Sequence, residues 1–214
     1  MRPMSGHAHA HSHGLVHDSI KRSREGLRAV GIALLILGLT AAAQLAVYVA
    51  SGSIALFADL IHNFGDAATA IPLSIAFALR SARAESVAGL AVVLAIFVSA
   101  CVAGYEAVDR LLNPQDVEHL GALAAAGALG FAGNWAAAIV RSRAGHRLDS
   151  AALVADGAHA RADAYVSLAV VASSVVVALG LQVADPLIGL GITVVILRIT
   201  WQSFVTVRGK PHAH

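Results

Sequence analysis

Ser53-Ile-Ala-Leu-Phe-Ala-Asp-Leu-Ile-His-Asn-Phe-Gly-Asp-Ala67 aligns without a gap on Ser150-Ala-Ala-Leu-Val-Ala-Asp-Gly-Ala-His-Ala-Arg-Ala-Asp-Ala164, with 8 of 15 positions identical. The identities include Asp59, His62 and Asp66 in the first copy and Asp156, His159 and Asp163 in the second. Acids and histidines repeated in register within apolar sequence are hard to explain as packing alone. An intramembrane ionisable group usually marks a pathway.

The surroundings of the repeat place it in a membrane. The 214 residues are 57% hydrophobic and only 13% charged, whereas a soluble domain averages roughly a quarter charged. A bilayer core requires about 20 mostly apolar residues per helix. Six stretches meet that length: Ala29 to Ala50, Ile54 to Leu79, Val87 to Val108, Leu120 to Val140, Ala151 to Leu181 and Pro186 to Val205. The expected fold is therefore an all-α membrane protein with six transmembrane helices. Pro72 falls inside the second span, where it removes a helix hydrogen bond. The expected organisation is a His-rich arm at 1–27, a six-helix transport domain at 28–208 and a short tail at 209–214.

Charge sets the expected orientation. Arg2, Lys21, Arg22, Arg24 and Arg28 precede helix one. Arg80 and Arg83 separate helices two and three, Arg141, Arg143 and Arg147 separate four and five, and Arg208 and Lys210 follow six. The opposite loops carry only Arg110, near Asp116 and Glu118. Both termini are expected in the cytoplasm, with the two copies inverted in the membrane. Inverted repeats with a site near the midplane recur among secondary transporters.

His62 and Asp66 are four residues apart, as are His159 and Asp163, and side chains at that spacing share a helix face. Two such helices facing each other would supply two nitrogens and two oxygens, a set that suits a tetrahedral zinc ion. Calcium and magnesium require more oxygen ligands. Asp59 and Asp156 each precede their histidine by three residues. They fall within an arc of about 60° with the histidine and the second acid. On opposite sides of the main site, they are candidate proton or ion relays.

The motifs Ser-Gly-Ser-Ile-Ala-Leu-x-Ala-Asp-x-x-His-x-x-x-Asp in helix two and Ser-x-Ala-Leu-x-Ala-Asp-x-x-His-x-x-x-Asp in helix five resemble the cation diffusion facilitator signature. Glu106-Ala-Val-Asp-Arg-Leu-Leu-Asn-Pro114 and Asp185-Pro-Leu-Ile-Gly189 are similar to that family's segments after helix three and at the start of helix six. The resemblance covers roughly Gly14 to Arg208. It implies a homodimer that exchanges cytoplasmic metal for external protons by alternating access, with transport ligands at His62, Asp66, His159 and Asp163. The paired His/Asp sets are similar to the zinc-transporting branch, which makes zinc the expected cargo and cadmium or cobalt further substrates. Most members continue into a cytoplasmic metal-binding domain, whereas this sequence ends nine residues after Val205. Dimerisation is then expected to rest on the membrane helices, in a bacterial inner membrane.

The remaining signals are weaker. His7, His9, His11, His13 and His17 form a polar arm suited to loose capture of cytoplasmic metal, and solvated, dispensable histidines would look the same. Arg161 points about 200° from His159 and has no partner that the sequence names. Gln44 and Asn134 are candidates for hydrogen bonds between helices. No resident cofactor is expected: zinc would be cargo, and the partners are divalent ions, protons and lipid. The formal charge of +2, with no basic run interleaved with aromatics, gives nucleic-acid binding no support. Two rival functions are an intramembrane zinc enzyme and a non-transporting metal-sensing subunit. The first lacks both a His-Glu-x-x-His motif and an open ligand position.

Overall fold

The computed structural model of the chain describes residues 18–51, 70–113, 119–181 and 183–209. Its elements are α1 (Asp18–Ser51), α2 (Ala70–Leu79), α3 (Ala82–Leu112), α4 (Leu120–Arg147), α5 (Ala151–Ala178) and α6 (Ala184–Arg208). Among the described residues the fold is all-helical. Five of these helices are long and apolar enough to cross a membrane, and α2 is a shorter apolar helix.

Burial runs opposite to that of a soluble domain. Leu35, Leu39, Val49, Tyr105, Leu112 and Trp201 are exposed, while Arg141, Asp156 and His159 are fully buried. Such a surface faces lipid, and the polar groups it cannot solvate collect inside. At the centre lies α5, packed by α4 on one side and by α3 and α6 on the other; α1 covers α4, and α2 bridges α1 and α3. Gln44 Nε2 donates to the Ala126 carbonyl at 3.2 Å, joining α1 to α4 as its sequence position suggested.

One end of the bundle is tied by charge. Arg22 Nη1 and Nη2 each lie 2.9 Å from a carboxylate oxygen of Glu85, and its Nε donates to the Leu148 carbonyl at 3.0 Å. Ser23 Oγ donates to the Phe77 carbonyl at 2.6 Å, and Arg147 pairs with Glu25 at 3.2 Å. The start of α1, the α2–α3 turn and the α4–α5 turn therefore meet at this end. Val207 near the end of α6 joins them through Gly89 of α3.

Helix boundaries depart most from the hydropathy limits at two ends. Helix α1 begins at Asp18 and not near Ala29, and α4 continues to Arg147 and not to Val140. Backbone hydrogen bonding does not stop where charge begins, so a helix can run past the apolar stretch that defines its span. Arg141, Arg143 and Arg147, expected in a loop between helices four and five, all belong to α4. Only Leu148, Asp149 and Ser150 connect the two helices.

This α4–α5 hairpin is held close by glycine. A Cβ on Gly145 would lie 2.7 Å from the Val154 backbone nitrogen, and one on Gly157 would lie 2.8 Å from that of Ser142. Small residues of this kind let membrane helices approach backbone to backbone. Gly157→Val should therefore lower stability by about 1–3 kcal/mol, the range for overpacking, because backbone atoms cannot swing aside. Gly38→Ala supplies the control, since its Cβ would meet nothing within 4 Å. Thermal unfolding in detergent compares them. Equal melting temperatures for both variants would contradict the close-approach account.

Candidate metal centre

Helix α5 starts at a built cap. Ser150 is extended (φ −100°, ψ 105°), and its hydroxyl accepts from the Leu153 N–H at 3.1 Å, satisfying one of the helix's open donors. The Ser150 N–H itself donates to the Gly145 carbonyl at 2.8 Å. The end of α4 thereby fixes where α5 begins, and the register of every residue along α5 follows.

That register turns Asp156, His159 and Asp163 inward, with side chains 0%, 1% and 6% exposed. His159 Nδ1 and Asp163 Oδ1 lie 3.8 Å apart, beyond hydrogen-bonding distance. The two groups stand side by side on one face, as their four-residue spacing implied. An imidazole nitrogen and a carboxylate oxygen so placed can serve a divalent cation together. His62 and Asp66, with Asp59, lie outside the described residues, and so do His7, His9, His11, His13 and His17.

Asp156 has a partner that the sequence did not suggest. Arg141 Nη1 donates to Asp156 Oδ1 at 3.1 Å, and Arg141 Nε lies 3.1 Å from Oδ2 without the alignment of a hydrogen bond. Arg141 is 1% exposed and has the largest side chain among the fully buried residues described. Its Nη2 is buried with no hydrogen-bond partner among the described residues. The available signal was the hairpin itself. Residues equidistant from a tight turn between antiparallel helices lie level, and Arg141 and Asp156 are equidistant from Leu148–Asp149. Ending helix four at Val140 hid that symmetry.

Arg161 turns away from the buried face. It is exposed, and its Nη2 donates to Ser142 Oγ at 3.4 Å, a long bond across the same hairpin. Asn134 is buried on α4. At the far end of α3, Asp109 accepts from the Asn113 side chain at 2.9 Å, and Glu106 is exposed.

A bundle with a lipid-compatible surface and a buried imidazole–carboxylate pair has the build of a polytopic membrane protein that handles cations. The chain belongs to the cation efflux family, matching the cation efflux transmembrane domain over residues 30–208, which places it among transporters rather than enzymes. It is 48% identical over 222 aligned positions to probable cation efflux system proteins from two strains of Mycobacterium tuberculosis, covering 90% of this chain and 67% of each relative. An uncharacterized transporter of Synechocystis sp. is 33% identical over 177 positions, covering 77% of this chain and 56% of that protein. The chain thus spans about two thirds of the mycobacterial relatives and little more than half of the cyanobacterial one.

Proposed function

We propose that this chain carries zinc out of the cytoplasm in exchange for protons, by alternating access, through a site formed by His62, Asp66, His159 and Asp163. The observation that supports this reading best is the burial of His159 and Asp163 on one face of the central helix. Two nitrogens and two oxygens favour zinc, with cadmium and cobalt as secondary cargo. The protein acts as a homodimer in a bacterial inner membrane. Its basic end, where α1 begins, faces the cytoplasm. Asp59 serves the outer side of the site as a relay and Asp156 the inner side, where it is paired with Arg141. The His-rich arm gathers metal loosely at the entrance.

Purified protein in sealed liposomes containing a zinc-sensitive dye tests this. Zinc entry that responds to an imposed pH gradient is the expected result. Binding without flux would instead favour the sensing subunit, and substrate turnover would favour an enzyme.

Proton coupling has a direct consequence for binding. Metal requires neutral imidazole and ionised carboxylate, so protons compete for the same atoms. Affinity should fall as pH drops through the histidine range, near 6.5 for the free side chain, because the protonated site repels the ion. Calorimetry in buffers of different ionisation enthalpy should register proton release as zinc binds. Identical heats in all buffers, after correction for metal–buffer complexes, would count against antiport.

A further inference from the structure

We propose that the groove between α3 and α6 binds one anionic phospholipid, with an acyl chain along the groove and the phosphate between Arg83 and Arg208. A Cβ on Gly89 would lie 3.2 Å from Val207, and one on Gly104 would lie 3.1 Å from Thr193, so the two helices run antiparallel and close. Beside that contact lies a cavity of about 490 Å³. Leu90, Leu94 and Phe97 of α3 form one wall, and Leu197, Trp201 and Phe204 of α6 form the other. Thr200, also in the lining, offers no free donor, because its hydroxyl donates to the Ile196 carbonyl at 2.9 Å. The cavity therefore suits hydrocarbon, which requires only dispersion contacts.

Both walls end in a cation at the same end of the bundle. Arg83, Val87, Leu90, Leu94 and Phe97 recur at helical spacing and share one face of α3, and Leu197, Trp201, Phe204 and Arg208 do the same on α6. Arg83 and Arg208 are exposed, and neither has a carboxylate partner among the described residues. Arg208 lies over Phe204, its Cζ 5.0 Å from the ring centroid, which ties that charge to the mouth of the groove. Leu197 and Arg208 are eleven residues apart, about 16 Å of helix rise, close to the ~15 Å hydrocarbon depth of one leaflet. A chain that ends near Leu197 therefore brings its phosphate level with Arg208. Basic pockets between membrane helices take anionic headgroups in this way. A second copy is the poorer occupant. A two-fold axis along the membrane normal would set the same patch against itself. Four arginines would then meet at one end of the bundle, with no carboxylate of the patch between them.

Trp201 reports occupancy, because bromine on an acyl chain quenches indole fluorescence only at close range. The full chain carries Trp135→Phe, which leaves Trp201 as the remaining tryptophan of the two. It is placed in phosphatidylcholine vesicles with rising fractions of brominated phosphatidylglycerol or of brominated phosphatidylcholine. The phosphatidylglycerol should reach half-quenching at a fraction about 30-fold lower, roughly fivefold for each arginine near an anionic headgroup. Arg83→Gln and Arg208→Gln should each raise that fraction about fivefold, and the double variant should erase the preference. Inorganic phosphate, added against chloride at matched ionic strength, should leave the preference intact. Its loss in phosphate would mean a free-anion site and would overturn the inference. Equal quenching by both lipids would mean ordinary boundary lipid, and no quenching by either would mean a face covered by a second copy; each overturns it. So does a preference that survives the double arginine variant, or one of equal size at Trp135 in Trp201→Phe protein.

Discussion

His159→Ala or Asp163→Ala is expected to abolish zinc flux in liposomes while the protein still inserts and folds. A complete zinc site contributes roughly 10–16 kcal/mol in small structural domains. One ligand in four then accounts for about 3 kcal/mol, more than a hundredfold in affinity. A transport site binds more weakly than a structural one, so the same loss should leave little occupancy at working zinc concentrations. The fold should survive because alanine is the best helix former and Ala160, Ala162 and Ala164 already pack beside these positions. Asp163→Ala also removes a buried carboxylate. Flux measured at matched protein density, with circular dichroism and size-exclusion profiles to establish folding, checks both variants. Wild-type flux through either would remove that residue from the ligand set.

The helical class and the inward face of α5 were legible because both depend on periodicity. Apolar runs of bilayer length give helices, and a four-residue spacing puts His159 and Asp163 side by side whatever surrounds them. Features that depend on a second helix were not legible. In the sequence Arg141 looks like a loop cation, because charge normally marks the end of a membrane span. Its burial is explained by Asp156, fifteen residues later, and the two meet only once the hairpin has closed. Helix α1 shows the same limit. Lys21, Arg22 and Arg24 read as a polar arm, yet the helix includes them, and Arg22 has Glu85 and the Leu148 carbonyl to bind. Ser150 opens the repeated motif, and its cap on Leu153 gives that position a structural use which the motif alone did not disclose.

Arg141→Met should destabilise the protein by about 3–5 kcal/mol, the scale for stripping one partner from a buried ion pair. The loss arises mainly from what is left behind. Asp156, fully buried, would keep its charge without a cation, or take up a proton to lose it. Asp156→Asn should also destabilise, because the guanidinium retains its charge and its Nη2 is already without a hydrogen-bond partner among the described residues. The double variant Arg141→Met/Asp156→Asn replaces the pair with uncharged groups of similar length and should recover most of the stability. A double-mutant cycle on unfolding free energies then gives a coupling well above the roughly 0.6 kcal/mol average of polar contacts between membrane helices. Two alternatives predict different cycles. If Arg141 contributes only through its methylene packing, Met should substitute at little loss, and the single variant would stay near wild type. If water reaches the pair in the membrane, each single variant would lose under about 1 kcal/mol, as exposed pairs do, and the losses would add. A large loss in the single variants that is repaired in the double variant distinguishes a buried charge pair from both.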